Sequence, residues 1–293
     1  MSDTNKWPDE DAIDRLIVPI SENVPIVGQY KIHPVRRDIN YDMHFGLEFG
    51  ILLSGRMHRE YRGWSSDFKP GDVWFCGIWE PHGWSILRAP CQVVVLVIHP
   101  QITARMRFEE APDFDALAPF TLPPELRPQT TSATRSRVID IGKRIWSICE
   151  NKPTYSGLWL RLLLLESLLL FTPLNNMPRP YASIEYAGRI NRAIEAVYRQ
   201  RRMISATEAA RLCGMSKIMF NKTFVSIMGI SFPKFSLRYR LQSAAAQLLH
   251  DRDEPLKVAA SEWGFTDSSH LYQCFLKHFG CSPTEYRNRM SNR

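Results

Sequence analysis

The last hundred residues of the chain nearly repeat themselves at a spacing of about fifty positions. The stretch Ala209–Met215 recurs as Ala259–Phe265, and Phe224 then corresponds to Phe275, one position further out of phase. Each copy predicts a short helix that ends at a glycine, a tight turn and a second helix that ends at another glycine. Such a unit is a helix-turn-helix, whose second helix enters the major groove of DNA. An ordinary helical hairpin is the alternative interpretation, and the second copy argues against it.

Four residues at the two turns support the helix-turn-helix interpretation. Gly214 and Gly264 can adopt a positive φ, which lets the chain leave the first helix of each unit sharply. Ser216 and Asp267 are good N-cap residues for the second helices, because their side-chain oxygens accept hydrogen bonds from the first free amides.

The segment between the two copies has the spacing of a helix of its own. From Pro233 to His250 the apolar residues are Phe235, Leu237, Leu241, Ala244, Ala245, Leu248 and Leu249. A helix of about 17 residues is roughly 26 Å long, and it would separate the two second helices by a distance comparable with the ~34 Å of one DNA turn. A supporting helix before the first copy is predicted from the apolar stripe Ile190, Ala193, Ile194, Val197 and Tyr198.

The positive charge of the chain is concentrated in the same segment. Residues 185–293 carry 17 Lys and Arg against 9 Asp and Glu, a net charge of +8, whereas residues 1–184 carry 20 against 21. A basic segment suits a polyanion, since neutralising phosphates releases their condensed counterions.

The segment Ile190–Arg287 resembles the DNA-binding domain of the AraC/XylS family of transcription regulators. The resemblance is closest in the second copy, which reads Ala260-x-x-x-Gly264-Phe265-x-Asp267-x-Ser269 and then Phe275-x-x-x-Phe279-Gly280-x-Ser282-Pro283-x-x-Tyr286-Arg287. It implies that the second helix of each copy reads bases. On the first copy the residues expected to face DNA are Lys217, Ile218, Asn221 and Lys222.

On the second copy the residues expected to face DNA are Ser268, Ser269, Tyr272 and Gln273, with Lys277 as a phosphate contact. The family often has an arginine where Gln273 stands. Base recognition by the second copy is therefore expected to be weaker, or to depend more on DNA shape and phosphate contacts.

The region from about residue 25 to 100 has short runs rich in Val, Ile, Trp and Phe, such as Phe49–Leu53, Val73–Cys76 and Gln92–Ile98. Many short strands between turn signals predict a small β-barrel or sandwich. The order His44-x-x-x-Glu48, then Pro70-Gly71-Asp72 and then Pro81-His82 resembles a cupin barrel, which agrees with the effector domain that the AraC/XylS resemblance implies.

A metal site in this barrel is the less favoured interpretation, and no cofactor is expected. Cupin enzymes use an H-x-H pair, and Gly46 stands where we expect its second histidine, which leaves His44, Glu48 and His82 as candidate ligands. We expect an organic effector instead, in a pocket of apolar walls with a few polar groups. The residues expected to line it are His44, Glu48, Trp74, Trp79, His82 and Trp84; the alternative is that the tryptophans are ordinary core.

Two helices are predicted between the barrel and the repeat, near Arg135–Glu150 and Ser156–Phe171. The second is too apolar for an exposed helix, so we expect it to contact the barrel or the partner of a homodimer. Packing within the chain alone is the alternative. The stretch Thr172–Tyr181, with three prolines, predicts a linker.

These observations predict a two-domain α+β protein, with a cupin-like barrel and dimerisation helices followed by an all-α domain of two helix-turn-helix units. The expected divisions are residues 1–110, 111–171, 172–184 and 185–293. The expected function is an effector-responsive activator that binds promoter DNA and recruits RNA polymerase; the alternative is a metal-dependent cupin enzyme with an appended DNA-binding module. The six cysteines lack metal-ligand spacing, and neither an export signal nor a membrane span is evident, so a cytoplasmic protein with reduced thiols is expected.

Overall fold

The computed structural model describes residues 7–9, 12–171, 182–251 and 253–291, and within these only the backbone of 182–185, 187 and 289–291. The chain divides into two compact units, Met1–Arg179 and Pro180–Arg293, which we call unit 1 and unit 2. The predicted linker Thr172–Tyr181 lies outside the described residues. The last three residues of the longer predicted segment 172–184 already belong to a helix.

Unit 1 is built on one seven-stranded sheet. Its strands are β1 (Asp14–Leu16), β2 (Ile26–His33), β3 (Arg37–His44), β4 (Leu47–Tyr61), β5 (Trp64–Phe68), β6 (Val73–Cys76) and β7 (His82–Ile98). The central pair is β4 and β7, which run antiparallel over most of their length. At one end of this pair lie β2 and β6, and at the other end lie β3 and β5, with the short β1 parallel to β3. A cupin-like closure of this sheet stays a prediction.

The two central strands are much longer than the short runs that the sequence predicts. Phe49–Leu53 is one part of the 15-residue β4, and Gln92–Ile98 is the second half of the 17-residue β7. The apparent breaks are irregularities inside the strands, because the β4–β7 register shifts three times between Leu52 and Met57. Gly55, at a φ of +84°, provides the backbone conformation for this bend.

Two helices cover one face of the sheet. Unit 1 contains α1 (Gln101–Arg105), α2 (Ala118–Thr121), a 3-10 turn at Pro124–Leu126, α3 (Arg135–Asn151) and α4 (Ser156–Phe171). The bounds of α4 are those predicted, and α3 is one residue longer. Helix α3 packs on β4 and β2 so closely that a Cβ at Gly142 would lie 2.6 Å from the side chain of Leu53.

Unit 2 is entirely helical in its described residues. Its helices are α5 (Ala182–Arg199), α6 (Ala206–Leu212), α7 (Lys217–Met228), α8 (Phe232–His250), α9 (Leu256–Glu262), α10 (Ser268–Phe279) and α11 (Pro283–Ser291). The pairs α6–α7 and α9–α10 are the two predicted helix-turn-helix units. Helix α5 is the predicted supporting helix, and all five residues of its apolar stripe are buried. Helix α8 is the predicted connection between the two units.

Candidate functional site

A cluster of buried charged side chains lies within the sheet of unit 1, and it contains three of the residues that the sequence predicts as pocket lining. The imidazole Nε2 of His44 lies 3.0 Å from a carboxylate oxygen of Glu48, and Nε2 of His82 lies 3.9 Å from the same oxygen. The cluster also includes Asp42 and Arg59, which sequence reasoning missed. Nε2 of His82 lies 3.0 Å from Asp42, and Arg59 lies 3.4 Å from Glu48.

The presence of Asp42 in this cluster follows from the geometry of a β-strand. Residues two apart on a strand face the same side of the sheet, and both Asp42 and His44 lie on β3. Gly46, by contrast, lies beyond the end of β3 with a φ of +125°. The neighbour of His44 in the site is therefore residue 42 rather than residue 46, and strand alternation was the signal that could have identified it.

The charges of this cluster balance one another. Burial alone would lower the pKa of His82, but the neighbouring Cys76 and Glu48 and a hydrogen bond to Asp42 raise it well above its usual value. Burial alone would raise the pKa of Asp42, yet its contacts with His82 hold it below the usual value. Attraction to His82 and a hydrogen bond from His44 do the same for Glu48, against the effect of burial. Two carboxylates thus face the imidazolium of His82 and the guanidinium of Arg59.

The tryptophans predicted to line the pocket mostly support this cluster. Nε1 of Trp74 donates to Glu48 at 2.6 Å, and Nε1 of Trp84 donates to Asp42 at 3.1 Å. Trp79 lies apart from these bonds, with its ring 5.6 Å from that of Phe45. Of the six predicted residues, Trp74 also lines a cavity of about 280 Å³, and the other five do not.

Two sets of potential metal-ligand atoms lie within this cluster. They are Asp42, His44 and His82 in one set, and Glu48, Cys76 and His82 in the other, with the atoms of each set within 4.8 Å of one another. Nδ1 of His82 lies 2.9 Å from the carbonyl oxygen of Glu80, and its Nε2 lies 3.0 Å from a carboxylate oxygen of Asp42. The raised pKa of His82 favours the imidazolium, which donates at both nitrogens. Because this imidazolium and Arg59 already neutralise the two carboxylates, the side chains of the cluster balance one another in charge.

In unit 2 the four residues predicted to read DNA on the first copy lie together on one exposed face of α7. The helix begins after Ser216, whose hydroxyl accepts a hydrogen bond from the amide of Met219 at 3.3 Å. Its opposite face carries Phe220 and Phe224, which are fully buried. The exposed residues are Lys217, Ile218, Asn221 and Lys222, and Ile218 is 73% exposed. An apolar side chain so exposed is available for contact with a partner.

Helix α10 repeats this arrangement 51 residues later. Asp267 accepts a hydrogen bond from the amide of His270 at 2.7 Å, and the buried face carries Leu271 and Phe275. Its predicted DNA-facing residues are exposed, except that the first is half-buried: Ser268, Ser269, Tyr272, Gln273 and Lys277. Both helices end at a glycine in the left-handed conformation, as predicted.

Comparison with known proteins assigns this region. A family model described as a helix-turn-helix domain matches residues 209–289. Residues 209–289 form an AraC-type helix-turn-helix domain. The resemblance predicted for the C-terminal segment is thereby confirmed.

Two relatives match a part of the chain. A probable transcriptional regulator, LumQ of Photobacterium leiognathi, is 36% identical over 84 residues, which are 29% of this chain and 34% of LumQ. The RCS-specific HTH-type transcriptional activator RclR of Escherichia coli is 32% identical over 81 residues, 28% of each chain. The matches thus span about a third of each relative or less.

Among solved structures, ToxT of Vibrio cholerae with a bound unsaturated fatty acid is similar over 90% of this chain and 95% of ToxT, at 13% identity and a TM-score of 0.44. The DNA-binding domain of AdpA in complex with target DNA matches 36% of this chain and 95% of that domain, at 23% identity and a TM-score of 0.33. With TM-scores this low, these likenesses settle neither fold nor function.

Two arginines support the turns of the AraC-type domain, and the sequence analysis did not single them out. Arg189 of α5 donates to the carbonyls of Cys213 and Gly214, where the first turn begins. Arg240 of α8 donates to the carbonyls of Trp263 and Gly264 at 3.1 and 2.9 Å. The repeat thus extends to the helix that precedes each unit, and the 51-residue spacing of the two arginines was the available signal.

Proposed function

We propose that the chain is a sequence-specific DNA-binding regulator of transcription, in which α7 and α10 enter successive major grooves. The observation that carries the proposal is the duplication itself: two capped helices expose equivalent faces, on a domain that carries the whole net positive charge of the chain. The names of the two relatives agree with it, since both are regulators of transcription.

The side chains on α7 suit direct contact with base edges. The amide of Asn221 can pair with both N6 and N7 of adenine, and Lys222 can donate to guanine or a phosphate. Ile218 suits the methyl group of thymine. On α10, Ser269 and Gln273 offer neutral polar groups, and Lys277 supplies a phosphate contact one turn further on. We infer that α7 contributes most of the base specificity.

The apolar face of α4 supports a homodimer. Its inward face is buried on the sheet through Leu160, Leu163, Leu164 and Leu168. Its outward face still carries large apolar side chains that are 49–56% exposed, namely Leu158, Trp159, Leu162 and Leu169, and Tyr155 just before the helix is 76% exposed. A contiguous apolar surface of this kind marks an interaction site. A second copy is the occupant we propose, because two domains in one complex would bind DNA with higher avidity.

The remaining parts of the proposal concern what the regulator responds to and acts upon. We infer a cytoplasmic activator that recruits RNA polymerase in response to a small molecule bound by unit 1. No helix in the described residues is long and apolar enough to span a bilayer. We assign no reaction to the buried cluster of unit 1, because its carboxylates and imidazoles are less than 10% exposed and are hydrogen-bonded to one another.

The proposal is tested by selecting fragments of genomic DNA with the purified full chain and sequencing the retained fragments. We expect a recurring motif with two elements about one helical turn apart, and its loss in the Asn221→Ala/Lys222→Ala double variant. Lys143→Ala, an exposed lysine of α3 in unit 1, is the matched control and should retain the motif. Retention of DNA that depends on salt but shows no motif would overturn sequence-specific recognition.

A further inference from the structure

An open groove of about 300 Å³ lies on the outward face of α4, over the second half of the helix. It is lined by Arg137 of α3, by Glu166 and by four leucines of α4, namely Leu162, Leu165, Leu169 and Leu170. The charged residues here are paired, since Nε of Arg137 lies 3.6 Å from one oxygen of Glu166 and Arg144 lies 2.9 Å from the other. The groove therefore offers a partner apolar surface rather than an unpaired charge.

One large side chain on the same face of α4 lies outside the groove. Trp159 precedes Leu162 by three positions and Glu166 by seven, so the three side chains lie along one side of the helix. Trp159 is 49% exposed, and within the described part of the chain its indole has neither a ring contact nor a hydrogen bond. The exposed half of this side chain is available for contact with a partner.

We propose that the groove receives Trp159 of a second copy of the chain, and that the two α4 helices run antiparallel in the homodimer. The groove residues of α4 are centred near position 166, about seven positions beyond Trp159, which is roughly 10 Å along the helix axis. Contacts in a two-fold dimer are reciprocal, so each copy supplies one indole and one groove. Parallel helices would place Trp159 beside the partner's Trp159, whereas antiparallel helices place each indole over the opposite groove.

A second copy suits the groove because its size and its polar edge match an indole. An apolar cavity of about 150 Å³ holds benzene, so a groove of about 300 Å³ has room for two fused rings. A buried indole N–H needs an acceptor, and the carboxylate of Glu166 can accept a further hydrogen bond beside its two arginines. A tryptophan seated in a pocket is a typical anchor of an interface. This anchor rests on the homodimer proposed above, and it fixes the direction of the two helices.

Disulfide cross-linking between two differently substituted chains tests this direction. Full chains that carry Trp159→Cys are mixed at tens of micromolar with chains that carry Leu165→Cys or Leu169→Cys and are oxidised mildly. The parent chain, with its own cysteines, is the blank. We expect a covalent dimer in at least one mixture, joined between position 159 of one copy and the leucine position of the other, as identified by mass spectrometry of the peptides.

The chain with Trp159→Cys alone should form no disulfide between its two copies of position 159. Antiparallel helices separate these positions by roughly 9–15 Å along the axis, beyond the ~7 Å between Cα atoms that a disulfide allows. A disulfide between them, without one in either mixture, would show parallel helices and overturn the proposal. If the parent chain sediments as a dimer, the absence of any covalent dimer beyond the blank would also overturn it and leave the homodimer standing. A monomeric parent chain overturns the homodimer itself, and the anchor with it.

Two tryptophan variants separate loss of the anchor from loss of the fold. Trp159→Ala should raise the dimer dissociation constant, measured by sedimentation equilibrium, by about a hundredfold or more, because each dimer loses two anchors. Its helical circular dichroism should match that of the parent, since the side chain lies on the outward face. Trp64→Ala, which removes a half-buried indole of β5 outside the groove, is the matched control and should keep the parent's constant. A Trp159→Ala chain that dimerises as tightly as the parent would overturn the anchor.

Discussion

The guanidinium of Arg240 lies 4.8 Å from the ring centroid of Phe265 and donates to the two carbonyls that end α9. It is buried, and burial lowers its pKa because removal from water disfavours the charged form. No carboxylate is among the groups that offset this effect. The carbonyl oxygens at the end of a helix carry partial negative charge, and here they are the partners of the buried guanidinium. The angle between α9 and α10 therefore depends on a residue of α8.

Replacing Arg240 by methionine should destabilise unit 2 and disturb the second helix-turn-helix unit. The substitution keeps an apolar chain of similar length but leaves two carbonyls without this donor, one of them in a buried contact and the other in a partly buried one, which costs about 1–3 kcal/mol. We expect that loss in the free energy of unfolding by urea, followed by helical circular dichroism.

The equivalent variant Arg189→Met provides the comparison for Arg240→Met. Its bond to Gly214 is exposed, so water can replace the lost donor and the loss should be smaller. Equal losses in the two variants would contradict the importance of burial at Arg240.

The helical repeat was predictable from the sequence because its requirements are local. Three features can be recognised directly in the sequence: a glycine for a positive φ, a side-chain N-cap and apolar residues at helical spacing. Gly264 and Asp267 are examples of the first two. The bounds of α4 were predictable for the same reason. The two helix-turn-helix units, α6–α7 and α9–α10, lie where these features predict them.

The contacts of unit 1 were less predictable because they depend on how distant strands pair. Arg59 is on β4, and it meets Cys76 of β6, 17 residues away, only because the two strands are neighbours. The cavity of about 280 Å³ beside Trp74 is lined by β5, by β6 and by a loop near Thr130. No local sequence pattern specifies that this loop packs near these strands. Residue types alone indicated that His44, Glu48 and His82 form a polar group. They could not show that Asp42 and Arg59 lie beside these residues and balance their charges.

The two reading helices should contribute unequally to sequence recognition. Asn221→Ala on α7 should cost about 1–3 kcal/mol at a specific site, as expected for a lost bidentate base contact. Gln273→Ala on α10 should cost less, because we expect α10 to rely more on shape and phosphate contacts. Competition titrations against the selected motif and against a motif with one altered element measure both values. A larger loss of binding free energy in Gln273→Ala than in Asn221→Ala would show that α10, and not α7, contributes most of the base specificity.

Phosphate contacts should be recognisable by their dependence on salt. Lys277→Gln should weaken binding to all sequences alike and reduce the slope of log affinity against log salt concentration by about one. Fluorescence anisotropy at several salt concentrations gives this slope. An unchanged slope would show that Lys277 does not contact a phosphate.

The buried charges of unit 1 should be far more important for stability than exposed ones. Asp42→Asn leaves the imidazolium of His82 without its nearest carboxylate, and breaking a buried pair costs about 3–5 kcal/mol. The matched control is Asp67→Asn, which breaks the exposed pair with His58 and should cost less than about 1 kcal/mol. Urea unfolding followed by tryptophan fluorescence reports mainly unit 1, which contains seven of the eight tryptophans. Similar losses in both variants would contradict the charge balance.

Acid should destabilise unit 1 partly through His99. Burial lowers the pKa of His99 from 6.5 to about 4, with repulsion from Arg105 acting in the same direction. Between these values the unfolded chain binds a proton that the native chain does not, so stability decreases as the pH falls from 6.5 toward 4. In His99→Gln the free energy of unfolding should decrease less steeply over this window, because the variant lacks a group that contributes up to one bound proton to the slope. Identical pH profiles for the two proteins would show that His99 does not contribute.

The exposed face of α4 should hold two copies of the chain together. Leu162 and Leu169 are 49% and 52% exposed, and burying a leucine fully contributes about 1.5–3 kcal/mol. Replacing both by lysine should therefore raise the dimer dissociation constant by about a hundredfold or more. Sedimentation equilibrium measures this constant, and DNA affinity should decrease with it because avidity is lost.

A control on the same helix separates loss of the dimer from loss of the fold. Arg161→Ala changes an exposed residue of α4 outside the apolar face and should leave both the dimer and DNA binding intact. The double lysine variant should keep the helical content and the unfolding midpoint of the parent chain at equal monomer concentration, since neither leucine belongs to the buried face. A parent chain that sediments as a monomer at tens of micromolar, or a double variant that remains dimeric, would exclude α4 as the interface.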